Sequence, residues 1–256
     1  MQKRVLLIDH NADTARRLTK RFCDRRWVVL SSNSVRGALE ICESISVKLA
    51  VIDAMADDGQ ALDALPMLRD RLPGTPIAAM AGRYGLRGRH AHTCEFVLPK
   101  PLAEFDVDDL IDDAGRIARG EGPRPHILGA DDKEGACSVI RSMARVAGYR
   151  ASFETCMEAM LQRLKWDRAD CLLVDIFMPG MGGIDGIRKV RAERPDLPVI
   201  AMSSGLHARM DAETSLKAAR MIGADGALKK PFTAEQLRAA ACAAIAARRG
   251  AMSFAP

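Results

Sequence analysis

The amino-acid sequence contains two copies of one pattern, and this repeat limits the folds that the chain can adopt. Two apolar runs that end in aspartate occur in each half: VLLID (5–9) and LAVID (49–53) in the first, ILGAD (127–131) and CLLVD (171–175) in the second. The corresponding aspartates are 122 residues apart in both pairs. A repeat of this length has the size of a whole domain. The sequence therefore predicts two domains of about 120 residues each.

The two copies are joined by a segment rich in glycine and proline. Residues 119–126 read RGEGPRPH, and such a composition is typical of a linker between domains. We therefore predict a first domain at residues 1–118, a linker at residues 119–125 and a second domain at residues 126–250.

In the second copy, short apolar runs alternate with segments that are predicted to be helical. The predicted strands are 126–130, 150–154, 170–175, 198–203 and 226–229, and the predicted helices are 134–147, 156–165, 183–193, 208–222 and 233–248. Thr233 and Gln236 form a T-x-x-Q capping box, which is typical of a helix start. Five strands that alternate with five helices predict an α/β fold, in which a doubly wound parallel sheet carries helices on both faces.

The composition argues against a nucleic-acid partner and against a membrane span. Basic and acidic residues number 18 and 17 in residues 1–120, and 20 and 16 in residues 121–256. Neither half has the basic excess that favours nucleic acid. No uncharged apolar run approaches the roughly 18 residues of a spanning helix. The seven cysteines are an odd number and form no C-x-x-C pair, which favours reduced thiols and a cytoplasmic location.

Polar side chains follow several predicted strands of the second copy, at the point where each strand ends. Asp131 and Asp132 end the first strand, Asp175 the third, Ser203 the fourth and Lys230 the fifth. In a doubly wound sheet, the carboxyl ends of these strands face one crevice. We therefore expect three carboxylates, a hydroxyl and an ammonium group to converge there.

This set of groups is suited to phosphoryl transfer. Three close carboxylates repel one another, and Mg²⁺ relieves that repulsion because it prefers carboxylate oxygens, water and phosphate. The remaining carboxylate, Asp175, is the candidate nucleophile that forms an aspartyl phosphate. Lys230 and the metal would neutralise the phosphoryl oxygens, and Ser203 would donate a hydrogen bond to the transferred group.

The second copy resembles the response-regulator receiver domain of two-component signalling. The matching pieces are Asp131-Asp132, the D-x-x-M-P-G run from Asp175 to Gly180, Ser203 after PVIAM, and Lys230-Pro231-Phe232. The resemblance implies two flavodoxin-like (βα)5 domains in tandem. It also implies direct Mg²⁺ ligands at Asp132, Asp175 and the backbone carbonyl of Phe177, whereas Asp131 would act largely through water.

The first copy keeps part of this site and has lost the rest. The same template finds Asp9, Asp53 and Lys100, but His10 replaces the second acid and Ala81 replaces the hydroxyl. Neutral histidine is a poor Mg²⁺ ligand, and alanine donates no hydrogen bond to phosphate. We therefore interpret residues 1–118 as a degenerate receiver.

Two alternatives remain open for the first copy. The retained Asp53-Lys100 pair leaves phosphorylation of Asp53 possible. His10, together with His90 and His92, could form a transition-metal site, although two histidines in a loop rich in glycine and arginine are more often solvated.

The resemblance implies a signalling function through protein contacts. A histidine kinase or histidine phosphotransferase would phosphorylate Asp175, and the altered surface would bind a downstream target protein. Only RGAMSFAP follows the last predicted helix, so we expect no output domain, no nucleic-acid or membrane partner, and no enzymatic turnover beyond self-phosphorylation and slow dephosphorylation. A homodimer through the last helices is a further hypothesis.

Two other functions are alternatives. Receivers often carry an aromatic residue three places before the lysine, and here that place is Ala227. We therefore expect the output change to depend on the loop of Ser203 and the helix after it. A phosphorelay intermediate or a phosphate sink with little conformational output is the second interpretation. The third is a metal-dependent phosphatase, which normally has an acidic residue two places after the nucleophile. Phe177 occupies that place, which argues against a phosphatase.

Overall fold

The computed structural model describes residues 2–56, 61, 63–82, 86, 94–204 and 212–252. The chain divides into two compact units, Met1–Pro123 and Arg124–Pro256. Each unit contains a five-stranded sheet in which all described strand pairs are parallel.

Strands and helices alternate along the first unit. They are β1 (Arg4–Ile8), α1 (Ala12–Asp24), β2 (Val28–Ser32), α2 (Val35–Ser44), β3 (Leu49–Asp53), α3 (Leu65–Arg71), β4 (Ile77–Ala81), β5 (Phe96–Pro99) and α4 (Glu104–Ile117). The strand order in the sheet is β2-β1-β3-β4-β5. Most of the predicted loop at 82–93, including His90 and His92, lies outside the described residues.

The second unit repeats this arrangement. Its elements are β6 (His126–Ala130), α5 (Glu134–Val146), β7 (Arg150–Glu154), α6 (Met157–Arg163), β8 (Cys171–Asp175), α7 (Gly183–Glu193), β9 (Val199–Ser203), α8 (Ala212–Met221), β10 (Gly226–Lys229) and α9 (Ala234–Met252). The strand order is β10-β9-β8-β6-β7. Strand β7 lies on one side of β6, and β8, β9 and β10 follow on the other side. The point where the strand order changes is therefore between β6 and β8, and a crevice forms at the carboxyl ends of these two strands.

The prediction of two doubly wound α/β domains is confirmed. The five predicted strands of the second domain agree with the structure to within one residue. The last helix runs to Met252 instead of the predicted 248, because an alanine-rich segment favours helix. The predicted helix 208–222 is described only from Ala212 to Met221, and residues 205–211 lie outside the described part.

The predicted capping box at the start of α9 is also confirmed. The backbone N–H of Thr233 donates to Gln236 Oε1 over 2.9 Å, and the backbone N–H of Gln236 donates to Thr233 Oγ1 over 3.3 Å. Two amide groups that the helix cannot satisfy internally therefore have partners. The box fixes where α9 begins, at Ala234, four residues after Lys230.

Strand β8 shows why these apolar runs form the centre of the sheet. All five of its residues are buried. Cys171 and Leu173 pack in one core cluster with residues of α5 and α9, whereas Leu172 and Val174 pack in the other with residues of α6 and α7. Each fully buried leucine or valine contributes roughly 1.5–3 kcal/mol. Packing on both faces therefore fixes the position of Asp175 at the strand end.

The buried His126 at the start of β6 is kept neutral by its surroundings. Its Nδ1 lies 2.6 Å from the backbone oxygen of Arg168, and its Nε2 lies 3.1 Å from the hydroxyl of Ser152. Because a carbonyl oxygen only accepts, the ring proton is on Nδ1 and Nε2 accepts from Ser152. Burial, and secondly the charge of Arg150, lower the pKa of His126 from 6.5 to about 3, and Asp167 opposes this only in part.

We expect the free energy of unfolding to fall as the pH drops from 7 to 5, because the unfolded chain takes up a proton on His126 that the folded chain excludes. From a pKa of 6.5 in the unfolded and about 3 in the folded state, this group alone contributes a loss of about 2 kcal/mol. Denaturant titrations of the wild type and of His126→Gln at both pH values test this. The variant should lose that part of the pH dependence, and equal pH dependence in both proteins would contradict the prediction.

Candidate functional site

The crevice of the second unit brings together three carboxylates. Asp131 follows β6, Asp175 ends β8, and these strands are direct neighbours, with Ala130 paired to Val174. Carboxylate oxygens of Asp131, Asp132 and Asp175 all lie within 4.8 Å of one another. Asp131 is fully buried and Asp175 is 5% exposed. The structure thus groups the acids that the sequence predicted at this edge.

Lys230 lies between the two buried carboxylates. Its Nζ donates to Asp131 Oδ2 and to Asp175 Oδ2, each over 2.5 Å. Burial lowers the pKa of the Lys230 ammonium, but the hydrogen bonds and charges of the two carboxylates outweigh burial and raise that pKa above its usual value. The lysine is therefore a fixed positive charge at the centre of the site.

Backbone amides hold the other oxygens of the same two carboxylates. The N–H of Lys133 donates to Asp131 Oδ1, and the N–H of Phe177 donates to Asp175 Oδ1, both over 3.1 Å. The residue that caps α5 is Lys133, and no side chain makes a capping hydrogen bond there. Helix capping is therefore not the role of the acidic pair Asp131-Asp132.

Ser203 lies at the end of β9, beside the strand that carries Asp175. It is fully buried, and the neighbouring Met202 is paired with Asp175 in the sheet. The backbone N–H of Lys230 donates to the carbonyl of Ser203 over 2.8 Å. This bond joins the strand ends that carry the predicted hydroxyl and the predicted ammonium group.

The residues of this site fit a divalent cation with oxygen ligands. Asp131, Asp132 and Asp175 together carry three negative charges when ionised, and Lys230 carries one positive charge, which leaves two negative charges. Carboxylate oxygens are the ligands that Mg²⁺ prefers. The predicted contribution of the Phe177 carbonyl stays a prediction, since the contact shown for its backbone at this site is that of its N–H.

The loop after β8 contains two features that the sequence analysis missed. A Cβ atom added to Gly183 would lie 2.1 Å from the carbonyl oxygen of Asp175, so only glycine allows α7 to start so close to Asp175. The N–H of Met181 donates to Glu158 Oε1 over 3.0 Å. The pair Gly182-Gly183 at the start of a predicted helix was a sequence signal for the close approach. No such signal exists for the hydrogen bond to Glu158, because it depends on α6 lying beside this loop.

The first unit also assembles its predicted residues at the corresponding edge. Lys100 Nζ lies 2.7 Å from Asp53 Oδ1, and His10 Nδ1 lies 3.3 Å from Asp53 Oδ2. Ala81 is buried at the end of β4, where the second unit has Ser203. Burial raises the pKa of the Asp9 carboxyl, although a hydrogen bond from the backbone of Asn11 opposes this.

The two units differ in how the lysine contacts the acids. Lys230 contacts both Asp131 and Asp175, whereas Lys100 contacts Asp53 and leaves Asp9 Oδ2 without a hydrogen-bond partner among the described residues. The sites are therefore chemically distinct although their sheets have the same strand order.

Comparison with known proteins finds a family model that matches most of the second unit. Residues 127–242 match the response regulator receiver domain. The sensory transduction protein RegX3 of Mycobacterium tuberculosis is 31% identical over 124 residues, which are 48% of this chain and 51% of that protein. The response regulator SaeR of Staphylococcus epidermidis is 29% identical over 112 residues, which are 44% of this chain and 46% of that protein.

Solved structures of response regulators are also similar to this chain. Full-length FixJ from B. japonicum is 25% identical, with 50% of this chain and 61% of that chain covered and a TM-score of 0.45. A receiver domain protein from Clostridium thermocellum is 23% identical, with 50% and 98% covered and a TM-score of 0.44.

Residues 127–242 therefore match the response regulator receiver domain, and proteins named as response regulators are among the relatives of this chain. It spans about half the length of the curated relatives that it matches, 46% for SaeR and 51% for RegX3. None of the helices in the described part is both long and apolar enough to cross a membrane.

Proposed function

We propose that the second unit accepts a phosphoryl group on Asp175 from the phosphohistidine of a kinase or phosphotransferase. The chain would then signal in the cytoplasm by binding a target protein. The observation that carries this proposal is the position of Lys230, whose Nζ lies 2.5 Å from both Asp131 Oδ2 and Asp175 Oδ2. One ammonium group therefore contacts the candidate nucleophile and a second acid beside it.

The proposed step forms one bond and breaks another. A carboxylate oxygen of Asp175 bonds to phosphorus while the P–N bond of the phosphohistidine breaks. The electron pair of that bond leaves with the imidazole nitrogen, which takes a proton from water. Lys230 pairs with an equatorial phosphoryl oxygen, and the hydroxyl of Ser203 donates a hydrogen bond to another. The backbone N–H of Phe177 holds Asp175 Oδ1, so that Oδ2 is the oxygen that attacks once Lys230 turns to the phosphoryl group.

Magnesium is the cofactor that this acidic site favours. Asp132 and Asp175 would hold it directly, with the carbonyl of Phe177, and Asp131 would act through water. When bound, Mg²⁺ supplies positive charge that offsets the phosphoryl oxygens. The two negative charges that remain in the site after pairing with Lys230 support this assignment.

An acyl phosphate with Mg²⁺ tests the proposal, with intact mass as the measurement. The wild type should gain one phosphoryl group, and removal of the metal by a chelator should prevent this. Asp53→Asn should behave as the wild type, whereas Asp175→Asn should gain none. Modification that persists in Asp175→Asn would contradict the proposal, and two added groups in the wild type would overturn the interpretation of the first unit as degenerate.

A phosphorelay intermediate or phosphate sink is the second candidate, and Ala227 favours it. This half-buried residue lies on β10, where many receivers have an aromatic side chain that moves with the hydroxyl. Without that side chain, the phosphorylated chain would change its surface little. Rapid return of the phosphoryl group to a phosphotransferase, with no change in target binding, would favour this candidate over a signalling receiver.

We propose that the chain is not a phosphatase. The residue two places after Asp175 is Phe177, which cannot protonate a leaving group. A turnover assay with a generic phosphate ester and Mg²⁺ should show none.

A further inference from the structure

We propose that the first unit has a binding site for a divalent transition-metal ion of the Zn²⁺ class, formed by Asp9, His10 and Asp53. Ligand atoms of these three side chains lie within 4.8 Å of one another. The inference does not depend on phosphorylation of Asp175, and it concerns the unit that the receiver-domain match does not cover.

Two buried carboxylate oxygens support a cation site here. Asp9 Oδ2 and Asp53 Oδ2 have no hydrogen-bond partner among the described residues, although Asp9 is 5% exposed and Asp53 is fully buried. A buried carboxylate oxygen without a partner is costly, so such groups are normally paired or bound to a metal. A cation is the ligand that such oxygens select.

The Oδ1 atoms of Asp9 and Asp53 both have partners within the protein. The backbone N–H of Asn11 donates to Asp9 Oδ1 over 2.8 Å. Asp53 Oδ1 accepts from the N–H of Met55 over 3.1 Å and lies 2.7 Å from Lys100 Nζ. These contacts fix both carboxylates and leave one oxygen on each for a ligand.

His10 supplies the third ligand atom at a suitable distance. Its Nδ1 lies 3.3 Å from Asp53 Oδ2, and its side chain is 54% exposed. Two ligands of a tetrahedral metal at about 2.0–2.2 Å are separated by roughly 3.3–3.6 Å. A direct charge-assisted hydrogen bond between the same groups would be shorter, about 2.7–2.9 Å. The separation therefore fits a shared cation better than an ion pair.

The ligand set distinguishes this site from that of the second unit. Imidazole suits Zn²⁺, Co²⁺ and related ions, whereas a set of carboxylates and water suits Mg²⁺. His10 stands where the second unit has Asp132, so one nitrogen ligand replaces one oxygen ligand. Lys100 does not occupy Asp9 Oδ2, whereas Lys230 occupies the corresponding oxygen of Asp131.

Metal titrations of the full chain test this proposal. Every protein in these titrations has the background substitution Asp132→Asn, which weakens the acidic site of the second unit. Calorimetry measures the binding of Zn²⁺. We expect one Zn²⁺ per chain, with the dissociation constant raised at least about tenfold by His10→Ala. The second variant, His10→Asp, should weaken Zn²⁺ binding and create Mg²⁺ binding, because it restores three carboxylates.

Cobalt provides a second readout that does not depend on affinity. Co²⁺ bound at this site should give ligand-field bands that change in His10→Ala, without the intense charge-transfer bands of thiolate coordination. Circular dichroism of each variant shows whether it is folded. Zn²⁺ binding that is unchanged in folded His10→Ala, Co²⁺ bands that are unchanged, or no Zn²⁺ binding in the parent chain would each overturn the proposal.

Discussion

Replacement of Lys230 by methionine is expected to slow phosphorylation of Asp175 by about a hundredfold to a thousandfold, the loss typical of one removed charge-stabilising donor. The ammonium contacts both Asp131 Oδ2 and Asp175 Oδ2. Methionine keeps the length of the side chain without its charge. The rate of mass gain with an acyl phosphate and Mg²⁺ is the measurement.

Lys229 provides a matched control because it is adjacent in sequence and exposed. Lys229→Met removes the same charge at a place where the side chain is solvated, and its phosphorylation rate should equal that of the wild type. Equal rates for Lys230→Met and Lys229→Met would show that position 230 has no special part in the transfer.

Replacement of Gly183 by alanine is expected to lower the free energy of unfolding by about 3 kcal/mol, the upper part of the range for overpacked sites. The added Cβ would lie 2.1 Å from the carbonyl oxygen of Asp175 and 2.8 Å from Ile176 Cα. Both are backbone atoms and cannot turn away as a side chain does. The end of β8, where Asp175 lies, and the start of α7 must therefore shift relative to each other, and we expect phosphorylation to slow as well. Denaturant titration measures the loss of stability.

Gly182→Ala is a control that distinguishes the steric clash at position 183 from the general loss of stability when a glycine is replaced. The Cβ of Gly182→Ala would have its nearest neighbour, the carbonyl oxygen of Ile176, at 3.7 Å, which is an ordinary contact. Gly182 is the N-cap of α7, so this variant should lose at most about 1 kcal/mol. If both variants were equally stable, the proposed close approach at Gly183 would be wrong.

The fold and much of the acceptor site could be predicted because strand ends are visible in the sequence. Apolar runs such as CLLVD end in a polar residue, and a doubly wound sheet brings the ends of neighbouring strands to one crevice. This reasoning placed Asp131, Asp175 and Lys230 together, and in the structure Lys230 Nζ lies 2.5 Å from a carboxylate oxygen of each acid. The sequence could not show that one ammonium contacts both carboxylates, because this depends on side-chain conformation.

Other features depend on contacts between segments that are distant in the sequence. The hydrogen bond from Met181 to Glu158 joins residues 23 positions apart, and no local pattern indicates it. The buried network around His126 involves Ser152 and the carbonyl of Arg168, which become neighbours only when β6 and β7 pair. The close approach at Gly183 is likewise set by the position of α7 against β8.

The residue pattern of the second unit explains only part of the site in the first unit. Comparison with the second unit identifies His10 and Ala81 as departures, and our interpretation of the first unit as degenerate rests on these two residues. It does not reveal that Asp9 Oδ2 and Asp53 Oδ2 are buried without partners among the described residues. Loss of one chemistry and retention of buried ligand atoms are compatible, and this is why we propose metal binding there.

The position of the phosphoryl group on the chain tests the central claim most directly. Reduction of the phosphorylated chain with borohydride converts an aspartyl phosphate to homoserine, and peptide mass mapping then locates the change. The account predicts homoserine at position 175 alone. Homoserine at position 53 or 132, or phosphorylation that survives reduction because it is on another type of residue, would contradict it.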